Sequence, residues 1–93
     1  MANQERLINT LIELIKIDSP SGEEDAIDAE VSSRLESMGL EVTHDAYRNV
    51  IATLEGVGNP LILSAHLDTV EPGRGIKPVI DGGVVRSDGS TIL

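Results

Sequence analysis

Leu61-Ile62-Leu63-Ser64-Ala65-His66-Leu67-Asp68-Thr69-Val70-Glu71-Pro72-Gly73 begins as a continuous apolar run and ends on two titratable side chains and a Pro-Gly turn. Residues 61–65 have the character of a strand covered on both faces, and such strands belong to parallel sheets flanked by helices. His66 and Asp68 then sit where the strand gives way to a loop. In open α/β sheets, ligands bind beyond the carboxyl ends of the strands. A neutral imidazole at that place is a common ligand for zinc. A carboxylate two residues on can accept the other ring N–H, which fixes the tautomer and raises the basicity of the ligand. Side chains at i and i+2 of a regular strand point the same way, so that contact is feasible. A strand-end histidine hydrogen-bonded to a turn presents the same three residues, so His-x-Asp alone leaves both readings open.

On the N-terminal side the period is helical. In residues 4–17, Leu7, Ile8, Leu11, Ile12, Leu14 and Ile15 form a broad apolar stripe, with Asn3 as a candidate N-cap. Asp18-Ser19-Pro20 ends this helix, because the residue before a proline is pushed out of the α region. Ser21-Gly22-Glu23-Glu24 has the S-x-x-E spacing of a capping box and predicts a second helix over residues 22–38. Its inward face would carry Ile27, Val31, Leu35 and Met38, and Gly39 would stop it. Leu40, Val42 and His44 then alternate with polar residues, as in a strand with one wet face. Residues 50–54 give a further strand. Val79-Ile80 and Val84-Val85, separated by Asp81-Gly82-Gly83, give a small hairpin. The expected fold class is α/β: two N-terminal helices packed on a mixed, mostly parallel sheet, with a small hairpin. A mostly parallel sheet normally has helices on both faces. The most economical expectation is that the chain is the front part of a longer protein.

The composition narrows the partners. The chain has 93 residues, no cysteine and a formal net charge of −9, and Tyr47 is its one aromatic residue. The core must therefore be aliphatic, and disulfides and thiolate metal sites are excluded. Twelve of the sixteen acidic residues lie in the first sixty positions. That balance argues against nucleic acid and against an anionic membrane, both of which need clustered Lys and Arg. No apolar run approaches the ~18 residues of a membrane span, and the N-terminus lacks the pattern of a signal peptide. The expectation is a soluble cytoplasmic protein.

The stretch from Leu61 through Asp68 to Gly73-Arg74-Gly75-Ile76-Lys77-Pro78 resembles the first metal-ligand motif of the cocatalytic zinc metallopeptidases. That family includes peptidase T, carboxypeptidase G and the aminoacylases. The Thr69-Val70 form with its Pro-Gly-Arg-Gly continuation is most similar to the peptidase T (tripeptidase) branch. The two N-terminal helices, Asn49-Val50-Ile51-Ala52 and the tail Ser87-Asp88-Gly89-Ser90-Thr91-Ile92-Leu93 extend the resemblance over nearly the whole chain.

The resemblance implies that residues 1–93 are the N-terminal part of a catalytic domain, with the rest of that domain and any lid or dimerisation domain absent. His66 would ligate one of two zinc ions, and Asp68 would orient the His66 ring. The bridging carboxylate, the general-base glutamate and the remaining ligands would lie beyond Leu93. The complete protein would be a zinc-dependent aminopeptidase acting on short peptides. A catalytic zinc site needs about three protein ligands and an open position, so the 93 residues alone are expected to be inactive. A deacylase or carboxypeptidase of the same family is the neighbouring alternative. From a different class, the chain would be a non-catalytic α/β module that self-associates, as a homodimer or higher, through its sheet.

The remaining candidates have simpler readings. His44 is expected to cap an edge of the core, Asp18, Ser19 and Ser21 to serve helix ends, and Arg74 to lie on a mobile loop rather than meet a substrate carboxylate. The acidic run Glu23, Glu24, Asp25, Asp28 and Glu30 is read as a solvated helix face.

Overall fold

Asn3 opens the first helix as its position predicts. Its side-chain oxygen accepts a hydrogen bond from the Arg6 backbone N–H at 3.0 Å, and helix α1 spans Gln4–Ile15. These positions come from a computed structural model, which describes residues 3–93. Helix α2 spans Asp25–Ser37, and four short strands follow: β1 (Glu41–His44), β2 (Val50–Thr53), β3 (Pro78–Asp81) and β4 (Val84–Ser87). The chain divides into two compact units, one of Met1–Ile27 with Leu67–Leu93 and the other of Asp28–His66.

In the first unit, α1 carries the expected apolar stripe but buries none of it fully; Leu7 and Leu11 are exposed and Ile8, Ile12, Leu14 and Ile15 are half-buried. The buried apolar side chains are Ile27 and Ile76, joined by the buried Ser19. Strands β3 and β4 pair antiparallel with Asp81 opposite Val84. Gly82 and Gly83 make the turn with φ of 56° and 85°, the positive values that a two-residue hairpin loop requires and glycine supplies without strain. This is the small hairpin expected from the Asp-Gly-Gly sequence.

In the second unit, α2 ends at Ser37, and Gly39 just beyond it, with a φ of 86°, is the left-handed stop that the sequence predicts. Strands β1 and β2 pair antiparallel in the register His44 opposite Val50. Asp45 closes the connection between them. Its carboxylate accepts from the backbone N–H groups of Tyr47 and Asn49, both at 2.9 Å, and from the Asn49 side-chain amide at 2.8 Å. These bonds hold its carboxyl below the usual carboxylate range, with the Asn49 side chain as the largest cause.

Three expectations need correction. Residues 61–65 do not form a strand, and Leu61, Ile62 and Leu63 are 85%, 84% and 89% exposed. A central strand needs partners on both edges, and among the described residues each strand pairs only within its own two-stranded antiparallel sheet. The mostly parallel sheet is thus not formed by these residues, although helices and strands occur in the expected order. One isolated parallel bridge, Pro20 with Thr69, is present. Finally, α2 begins at Asp25 and not at Gly22, because the capping box does not form: the Ser21 hydroxyl bonds elsewhere, and the Glu24 carboxylate accepts from the Gly22 N–H at 2.9 Å.

Candidate metal-ligand segment

The connection between the helices is where Asp68 is held. The Pro20–Thr69 bridge lays residues 19–21 alongside residues 68–69: the Thr69 N–H donates to the Ser19 carbonyl at 2.8 Å and the Ser21 N–H donates to the Thr69 carbonyl at 3.2 Å. This places the Ser21 hydroxyl on Asp68, where it donates to Oδ2 at 2.5 Å. The Ser-x-x-Glu spacing pointed to a cap, so Ser21 is a contact of Asp68 that the sequence hid.

The loop after Asp68 is tied down rather than mobile, which corrects the expectation for Arg74. Its guanidinium pairs with the Glu23 carboxylate and, at 3.4 Å, with Glu71. Glu23 is the main reason that the Arg74 pKa is raised above its ordinary value. The pairs are solvent-exposed, so each contributes little to stability, but they commit the guanidinium to protein carboxylates. The Asp18 carboxylate accepts from the Gly75 N–H at 2.8 Å, and the Ile92 N–H donates to the Pro72 carbonyl at 2.8 Å. Gly73 is required sterically, since a Cβ there would lie 2.4 Å from the Val70 carbonyl oxygen.

His66 closes the exposed apolar run and is itself exposed. It belongs to the second unit, and Asp68 to the first. Zinc accepts imidazole nitrogen and carboxylate oxygen, so the donor chemistry of His66 suits one ligand. Among the described residues, no group of three or more His, Asp or Glu side chains could hold a metal ion. The described residues therefore do not assemble a zinc site by themselves, and His66 is a candidate for a single ligand.

A second polar cluster lies within the other unit. His44 Nε2 is 2.8 Å from Asp28 Oδ1 and 3.3 Å from Ser32 Oγ, and Ser32 donates to Asp28 Oδ1 at 3.0 Å. His44 is thus not a cap on the core edge: its side chain is 43% exposed and tethers β1 to α2. The trio is not a nucleophile with its base. The nitrogen that meets Asp28 donates to it, and the same nitrogen cannot also take the Ser32 proton. Part of the acidic run on α2 is bonded as well, with Glu30 accepting from Arg34 at 2.8 Å. A shallow hollow of about 530 Å³ is lined by Asn3, Ile8 and Ile80, with no residue of His66 or Asp68 in its wall.

No family model matches the chain. The structure superposes on aminopeptidase PepT from Bacillus cereus ATCC 10987 with a TM-score of 0.87 and 37% identity, over 98% of this chain and 27% of that one. A tripeptidase from Staphylococcus aureus subsp. aureus Mu50 gives the same TM-score at 34% identity, over 99% of this chain and 28% of its own. The resemblance to the peptidase T-like family holds over nearly the whole chain. The protein YqjE of Bacillus subtilis (strain 168) is 35% identical over 103 residues, which cover all of this chain and 28% of YqjE. The chain spans about a quarter of the length of the relatives it matches.

Proposed function

We propose that this chain is the N-terminal part of the catalytic domain of a zinc-dependent, peptidase T-like aminopeptidase that acts on short peptides. The observation that carries the reading is the likeness to an aminopeptidase and a tripeptidase, each at a TM-score of 0.87 and above 30% identity over nearly all of these residues. In this reading His66 offers a ring nitrogen to zinc and Asp68 holds the ring in the ligating tautomer. When bound, zinc lowers the pKa of water and polarises the scissile carbonyl. In the same reading the chain's own part is to carry one ligand and to keep Asp68 beside the tied loop. A cytoplasmic location belongs to the same proposal; no helix among the described residues is long and apolar enough to cross a membrane.

The test compares the 93-residue chain with a protein that contains the complete catalytic domain, each supplied with zinc and a tripeptide. The complete protein is expected to hydrolyse the tripeptide, and the 93 residues to give no turnover above the blank. Turnover by the chain alone would contradict the reading. Activity of the complete protein on N-acyl amino acids or C-terminal glutamate substrates, in place of tripeptides, would move it to the deacylase or carboxypeptidase branches. The non-catalytic, self-associating module is a second reading, favoured by the exposure of Leu61, Ile62 and Leu63.

A further inference from the structure

The Ser21 hydroxyl has one proton to donate, and three uses compete for it. It could cap α2, bond to water or bond to another side chain. In the structure it donates to Asp68 Oδ2, a residue 47 positions away. The backbone on both sides makes this more than a chance surface contact. The Ser21 N–H is bound to the Thr69 carbonyl, and the Thr69 N–H to the Ser19 carbonyl. Ser19 and Pro20 are buried. The serine is therefore presented to the carboxylate by a short parallel bridge, and its orientation is set before any ligand arrives.

An ionised carboxylate has two oxygens and about four lone-pair sites. A donor fixed on Oδ2 removes the rotation of the carboxylate about its Cβ–Cγ bond and so sets the direction of Oδ1. It does so without using up the capacity to accept from an imidazole. A group that orients a metal-ligating histidine is effective only if it is itself held, and such supporting partners tune metal affinity.

We propose that Ser21 is a positioning residue: it fixes the Asp68 carboxylate and, through it, the His66 imidazole as a zinc ligand in the complete protein. This rests on the reading of His66 and Asp68 given above.

The experiment uses the protein with the complete catalytic domain as wild type, Ser21→Ala, Ser21→Thr and Asp68→Ala. The readouts are the equilibrium zinc affinity, by competition with a chromophoric chelator, and the Tm of the metal-free protein. Partners of this kind typically change metal affinity by ~10–100-fold, and a residue acting one bond further out belongs at the low end. Ser21→Ala is expected to weaken zinc binding about ten-fold, by the same principle, with a metal-free Tm within a few degrees of wild type. Ser21→Thr, which keeps the hydroxyl, is expected to restore the affinity. Wild-type affinity in Ser21→Ala beside weakened binding in Asp68→Ala would overturn the inference and leave the reading of Asp68 standing. A weakening that threonine does not restore, or one matched by a large fall in the metal-free Tm, would also overturn it in favour of a purely structural serine. Unchanged affinity in Asp68→Ala would remove the parent reading, and the role of Ser21 with it.

Discussion

Asp28 accepts hydrogen bonds from Ser32 on its own helix and engages the His44 ring on β1. The bond to His44 is the largest cause of a carboxyl pKa below its ordinary value of 3.8. A carboxyl depressed in the folded state stabilises that state at every pH above its ordinary value, and the contribution is lost as the pH falls through the folded value. The window is therefore below about pH 4, and Asp28 has no effect on the slope near neutrality. Asp28→Asn is expected to make the loss of stability between pH 4 and 2 shallower, as followed by urea unfolding at a series of pH values. It should not abolish that loss, because Asp45 and Asp88 are depressed as well. An unchanged acid limb in Asp28→Asn would contradict the role given to this carboxylate. Neither Asp28 nor His44 stood out in the sequence for this purpose. The i, i+4 spacing of Asp28 and Ser32 places them on one helix face, but nothing local reveals that a strand residue sixteen positions from Asp28 will meet them.

At the scale of elements, legibility followed the range of the interactions. Helix α1 with its Asn3 cap, the Gly39 stop and the Gly82-Gly83 turn depend on neighbours within a few residues, and all three were readable from residue type and spacing. The start of α2 was misread for a specific reason. Ser21 and Glu24 have the spacing of a capping box, yet Pro20 pairs with Thr69, and this long-range bridge draws the serine away to Asp68. Local propensity is a weak prior where a tertiary partner competes for the same donor. The segment containing His66 shows the opposite case. Its continuous apolar pattern predicted a strand covered on both faces, and in the structure it is neither a strand nor covered. His66 and Asp68 stand out in the sequence as a motif, and their roles belong to the proposal. The bond from Ser21 that holds Asp68 does not stand out, because it joins positions far apart in the chain.

For the whole molecule, the apolar run of residues 61–65 has an energetic consequence. Burying apolar surface stabilises by roughly 25 cal/mol per Å², and Leu61, Ile62 and Leu63 leave most of theirs in water. Extended apolar backbone without partners is also a template for pairing with a second copy. The isolated chain is therefore expected to self-associate despite its net charge of −9, and Ile62→Lys should shift it toward the monomer in light scattering at high concentration. A wild-type chain that stays monomeric there would count against pairing through this run. In the proposed reading the same run is a weak point in isolation and a mount for a ligand once covered. That mount is the centre of the account, and it is tested most directly by zinc stoichiometry. The protein with the complete catalytic domain, as wild type and as His66→Ala, would be equilibrated with zinc, desalted and measured by atomic emission. The account predicts a paired zinc site in the wild type and one tightly held zinc fewer in His66→Ala. Equal zinc content in the two proteins would contradict it.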